Sequence, residues 1–152
     1  MKSAMPGANG APRGAVVDAS VAFRWVVTEQ GSKQAAELLE RPFDWIAPRL
    51  MLTEVASALR RKVVAGELST EVAFEALDVL MTQTRGGSIR LAAEEEVMPL
   101  ALMLALSLGH RLPDCVYLAV AEREAADLVT ADRRLSEIAQ VRGVQSILVP
   151  ST

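Results

Sequence analysis

Five short apolar runs recur along the chain, separated by stretches that carry helical spacing or helix-capping residues. The runs are Ala15-Val16-Val17, Asp44-Trp45-Ile46-Ala47, Ile89-Arg90-Leu91, Leu128-Val129-Thr130 and Ser146-Ile147-Leu148-Val149. Runs this short, rich in β-branched residues and bounded by turn signals, read as buried strands. Two strands separated by helices pair in parallel, because a parallel connection needs a crossover of a dozen or more residues. The expected fold is therefore α/β with a mainly parallel central sheet.

The segments between the runs carry their own start and stop signals. Ser20 is placed to cap a helix over Val21 to Val27, and Ser32 to open a second, ending near Glu40 before Pro42. Pro48 suits the first turn of a long helix reaching about Ala65, with Gly66 at its end. Ser69 caps the next helix, in which Val72, Ala76, Val79 and Leu80 share a face until Gly86-Gly87. Glu94, Glu95 and Glu96 favour the amino end of another helix, which ends near Gly109. Pro113 starts a helix through about Ala126, and Asp132 caps a short one to Gln140. Residues 1–13, rich in Gly, Pro and Ala, read as a flexible N-terminal tail, and residues 14–152 as a single domain. The tail lacks the apolar stretch of a signal peptide. The longest apolar run, Val97 to Leu108, is shorter than the ~20 residues of a spanning helix and is broken by Pro99. No membrane partner is expected, and the expected compartment is the cytoplasm.

With one cysteine and one histidine, the chain has neither a disulfide framework nor a cysteine-rich zinc site, and little room for a His-dependent triad. Its chemistry falls to carboxylates. The net charge of −3 argues against a broad basic surface for nucleic acid. It remains compatible with a polyanionic substrate if a cation lies between substrate and protein.

Four acids occupy places unusual for surface acids. Asp18 follows Val16-Val17 and Asp132 follows Val129-Thr130-Ala131, both at carboxyl ends of expected strands, the edge at which open α/β sheets bind ligands. Glu54 sits among Leu50, Met51, Val55 and Ala58, and Asp114 has Tyr117, Leu118 and Ala121 as helical neighbours. Singly, each has a plain structural reading as a helix cap, a first-turn acid or an ion-pair partner. Together, carboxylates converging in a partly dry place repel one another unless one protonates or a cation intervenes. A hard divalent ion with oxygen ligands removes the conflict and suits phosphoryl chemistry.

The segments around these acids resemble PIN-domain ribonucleases, most closely the VapC-type toxins of bacterial toxin–antitoxin modules. The matching stretches are Val16-Val17-Asp18-Ala19-Ser20, Leu52-Thr53-Glu54 through Arg61, Pro113-Asp114-Cys115 through Ala121, and Leu128-Val129-Thr130-Ala131-Asp132 through Leu135. Cys115 departs from the family's more usual Ala. The resemblance implies a three-layer α/β/α sandwich and a metal-dependent endoribonuclease. It implies that Asp18, Glu54, Asp114 and Asp132 form a Mg²⁺ or Mn²⁺ site, with Ser20 and Thr130 in support. It also implies an RNA substrate, a cognate VapB-type antitoxin and a homodimer.

Arg60, Arg61, Lys62, Arg133 and Arg134 are the candidate RNA-phosphate contacts; Arg61, seven residues after Glu54, shares its helix face. Trp25 and Trp45 are expected in packing rather than stacked on bases, and His110 is read as a helix-end residue outside the chemistry. Ser20, where a haloacid-dehalogenase-like phosphatase needs a second Asp, and the lack of a G-x-x-x-x-G-K loop weigh against other phosphate enzymes. A non-catalytic RNA-binding or scaffold domain, or a housekeeping nuclease without antitoxin, are the alternatives.

Overall fold

The computed structural model describes residues 12–29 and 31–150; positions 1–11 of the expected tail lie outside them. Strands β1 (Arg13–Val17), β2 (Phe43–Pro48), β3 (Ile89–Ala92), β4 (Asp127–Thr130) and β5 (Ser146–Leu148) form one sheet in the order β3-β2-β1-β4-β5. Every pairing is parallel. β1 thus begins at Arg13, the residue at which the expected tail ends. The Arg13 guanidinium grips the buried Asp127 carboxylate at 2.7 Å, clamping β1 to β4 at the sheet's amino edge.

The helices are α1 (Ala19–Val26), α2 (Ser32–Leu39), α3 (Leu50–Val64), α4 (Thr70–Arg85), α5 (Met98–Leu108), α6 (Leu112–Glu124) and α7 (Arg133–Val141), with a 3-10 turn at Glu94–Glu96. α6 lies across β1, β2 and β4 with α5 behind it, while α1 packs on α2, α3, α4 and β4. α6 is apolar on nearly every side: Cys115 through Ala121 are all buried, as befits a helix enclosed by sheet and neighbour. The two innermost strands β1 and β4 are likewise enclosed, with Ala15, Val16, Val17, Leu128 and Val129 fully buried. Trp45 packs edge-on between Trp25 (centroids 4.9 Å) and Phe43 (5.2 Å), and the Trp25 indole donates to the Ala35 carbonyl. Both tryptophans are therefore packing residues.

Three local readings need correction. The cap of α1 is Asp18, not Ser20, because the Asp18 carboxylate accepts the Val21 N–H at 3.2 Å. Pro48 ends β2 rather than opening α3, which starts at Leu50. Glu94 to Glu96 do not open α5. They form the separate 3-10 turn, and Pro99 enters the first turn of α5 beyond it. The Glu94 carboxylate instead accepts the Leu50 N–H and so caps the start of α3 from a distant segment.

The strand order places a topological switch between β1 and β4. From β1 the chain moves outward to β2 and β3; from β4 it moves the other way, to β5. The two departures open a crevice beyond the carboxyl ends of β1 and β4, where such sheets bind ligands.

Candidate active site

Asp18 directly follows β1, and Asp132 lies two residues beyond Thr130, the end of β4. Both therefore stand at the switch-point crevice. Glu54 reaches it from the second turn of α3, and Asp114 from the first turn of α6. All four line one cavity of about 550 Å³, together with Ser20, Glu29, Glu67 and Tyr117 and the basic side chains of Arg24, Arg61, Lys62 and Arg111.

Asp18 is the most enclosed of the four, at 6 % exposure. Ser20 Oγ donates to its Oδ1 at 2.5 Å, and Thr130 Oγ1 donates to its Oδ2. The two hydroxyls accept in turn, Ser20 from the Ala131 N–H at 3.1 Å and Thr130 from the Asp132 N–H at 3.0 Å. Two hydroxyl relays thus tie Asp18 to the strand end that carries Asp132. Burial pushes the Asp18 carboxyl up to about 6, against the pull of these bonds, and the nearby charge of Asp114 adds to the rise.

Asp132 caps α7, its Oδ1 accepting the N–H groups of Arg134 at 2.9 Å and Leu135 at 3.3 Å. Glu54 is half-buried, and burial raises its carboxyl above the usual range. Tyr117 opposes that rise, donating from its hydroxyl to Glu54 Oε1 at 2.6 Å, while Asp114 adds to it. The Tyr117 side chain is almost fully buried, which together with the Glu54 charge holds its phenol protonated. Asp114 Oδ2 lies 3.4 Å from Arg111 Nε and 3.0 Å from His110 Nε2.

A divalent cation suits this donor set. Ligand-capable atoms of Asp114, Asp132 and His110 all lie within 4.8 Å of one another. Asp18 and Glu54 each hold a proton more tightly than usual, chiefly because they are buried, with the charge of Asp114 adding to both.

Of the basic residues singled out in the sequence, Arg61 and Lys62 reach the cavity. Lys62 does so in ion pairs, 2.8 Å from Glu67 and 3.9 Å from Glu29. Arg60 instead borders an apolar groove with Leu59, Val63, Phe74 and Leu77. Consecutive residues on a helix point about 100° apart, and Arg60 falls on the face of α3 turned to α4, whereas Arg61 and Lys62 fall on the cavity side. Arg133 is exposed and is not among the lining residues, and Arg134 donates from Nε to His110 Nδ1 at 3.2 Å. The structure adds Arg24, Arg111, Tyr117 and His110, none of them marked by the sequence. Arg111 and His110 stand four residues or fewer before Asp114, the one sequence signal that points to them.

Fold and cavity together define a class: a parallel α/β domain with an acid-lined cavity at its switch point. The sequence model of the PIN domain matches residues 15–141. The chain belongs to the PIN-domain family. It is 31 % identical over 122 residues to Ribonuclease VapC3 of Pyrobaculum aerophilum, spanning 80 % of this chain and 92 % of that one. The crystal structure of PAE2754 from Pyrobaculum aerophilum shares the fold with TM-score 0.64 at 20 % identity, over 88 % of this chain and 89 % of its own. A toxin–antitoxin complex from Klebsiella pneumoniae gives TM-score 0.59 at 16 % identity, over 91 % and 99 %. VapBC2 of Rickettsia felis, solved bound to a promoter DNA fragment, gives TM-score 0.61 at 13 % identity, over 89 % and 98 %.

Proposed function

We propose that this protein is a divalent-cation-dependent endoribonuclease, the toxin of a toxin–antitoxin pair. The observation that carries the reading is the meeting of Asp18, Glu54, Asp114 and Asp132, from four separate segments, on one cavity at the switch point. The likeness to Ribonuclease VapC3 along most of both chains supports RNA as the substrate.

Asp18, Asp114 and Asp132 are the residues that would hold Mg²⁺ or Mn²⁺. Bound there, the ion supplies an activated water and compensates charge on the leaving oxygen. Glu54 is fixed at Oε1 by Tyr117, which leaves Oε2 to orient the attacking water, and its raised proton affinity suits it to accept a proton. Ser20 and Thr130 hold both Asp18 oxygens in place. Arg24, Arg61 and Arg111 on the cavity wall suit the phosphates flanking the cut. In-line attack leaves a 5′-phosphate and a 3′-hydroxyl.

A VapB-type antitoxin completes the reading, supported by the Klebsiella pneumoniae neighbour, itself a toxin–antitoxin complex, and a homodimer belongs to it as the family resemblance implies. Six acids against four bases line the cavity, so a partner's Arg or Lys suits it when the cation is absent. Incubating pure protein with total RNA and Mn²⁺ should yield fragments with 5′-phosphate ends. EDTA should stop the cleavage, and so should the co-purified antitoxin. Intact RNA in Mn²⁺, as a scaffold domain gives, or cleavage that persists in EDTA, defeats the proposal.

A further inference from the structure

His110 does not occupy an ordinary helix end. Gly109 closes α5 in the left-handed conformation (φ 60°) and turns the chain so that His110 folds back against the start of α6. Its side chain is 8 % exposed, and its Nε2 is buried without a hydrogen-bond partner. That nitrogen lies 3.0 Å from Asp114 Oδ2, out of line for a hydrogen bond. A buried polar atom left in this state calls for a partner. The ligand-capable atoms of His110, Asp114 and Asp132 lie within 4.8 Å of one another. Ligands on one octahedral ion at about 2.1 Å stand roughly 3 Å apart when adjacent and about 4.2 Å when opposite. The cluster has that scale.

We propose that His110 is a cation ligand, so that the centre of this protein is a mixed imidazole–carboxylate site of His110, Asp114 and Asp132 that favours Mn²⁺ over Mg²⁺. The inference rests on the cavity being a cation site, as proposed above. Imidazole nitrogen suits later first-row divalent ions, whereas Mg²⁺ takes oxygen ligands and water. Asp18, with both oxygens engaged by Ser20 and Thr130, then serves the ion through a water or as a charge at short range.

Ligation has a defined proton balance. Nδ1 accepts from Arg134 Nε, so the neutral imidazole carries its proton on Nε2. A cation at Nε2 takes the lone pair there; the proton leaves Nε2, one is taken up at Nδ1, and the net count is unchanged. Protonated Nδ1 no longer accepts, so Arg134, exposed at the start of α7, turns outward.

The test uses the full chain without RNA. Pulsed EPR of the Mn²⁺-loaded protein should show the ¹⁴N coupling of a directly bound imidazole, a readout that needs no variant. In His110→Gln, Mn²⁺ affinity measured by calorimetry should fall at least about 10-fold, and Mg²⁺ affinity much less. Absence of ¹⁴N coupling in the wild type overturns the proposal, as does an equal loss for both ions, which is what His110 acting only on Asp114 would give. A separate arm guards the underlying reading. If Asp132→Asn leaves Mn²⁺ affinity unchanged, the cavity is not the cation site at all; if that variant loses affinity while ¹⁴N coupling is missing, only the role of His110 fails.

Discussion

At the scale of single residues, Asp18 joins two roles that the sequence presents as alternatives. It caps α1 and it lines the cavity. Its carboxyl titrates near 6 in the fold against an ordinary 3.8, so the native state binds the proton more tightly than the unfolded chain. That contribution to stability is fully present below about pH 3.8 and is lost as pH rises through 6. In EDTA, the difference in melting temperature between pH 5 and pH 7 should therefore be shifted towards higher stability at pH 5 by Asp18, and Asp18→Asn should remove that component while abolishing cleavage. Identical pH slopes for wild type and variant would sink the assignment. Tyr117 gives a second case. Tyr117→Phe keeps the buried ring but takes the donor from Glu54, so the Glu54 carboxyl rises further. Cleavage should fall by about 10–100-fold, as for other residues that orient a catalytic group. The acid limb of the pH–rate profile should move to higher pH, and stability should change by only about 1 kcal/mol. An unmoved acid limb would show that Glu54 is not the proton acceptor.

At the scale of elements, the strands were readable because buried parallel strands are short β-branched runs, and an acid within two residues of the end of such a run has little to do in a core. The positions of Asp18 and Asp132 followed from that alone. Glu54 and Asp114 stood out because their helical neighbours are apolar. What stayed hidden depends on contacts between distant segments. Tyr117 reaches Glu54 across 63 residues of sequence, and the Arg13–Asp127 clamp spans 114. The Glu94 cap on α3 is of the same kind, bridging 44 residues, so the acidic triplet looked like a helix start of its own. That cap bears on function, since α3 has no side-chain cap at Arg49 and holds Glu54 one turn further in. Glu94→Ala should cost about 1 kcal/mol and lower the melting temperature by roughly 2–4 °C. Glu94→Gln, which keeps an acceptor for the Leu50 N–H, should recover most of it. Equal losses in the two variants would mean that charge rather than capping is the contribution.

At the scale of the whole molecule, the cavity is a joint of four pieces: the end of β1, the start of α3, the start of α6 and the turn from β4 into α7. No internal disulfide fastens them, the lone Cys115 being buried and free. The carboxylates brought together there repel, so the cation-free fold is held against an internal strain of like charge. A ligand that needs all four pieces binds the native state and not the unfolded chain, and stabilises the entire domain by mass action. At 100 times its dissociation constant, the gain is ~2.7 kcal/mol. For a domain of this size each kcal/mol moves the midpoint by roughly 2–4 °C, so Mn²⁺ should raise it by about 5–10 °C. Asp132→Asn should retain less than half of that rise. Sodium chloride at matched ionic strength should not reproduce it, because screening weakens exposed charges far more than a partly buried cluster. Thermal melts of wild type and variant in EDTA, Mn²⁺ and matched salt separate these cases. An equal rise in the variant, or an equal rise with sodium chloride alone, would mean that the four acids do not act together on one ion.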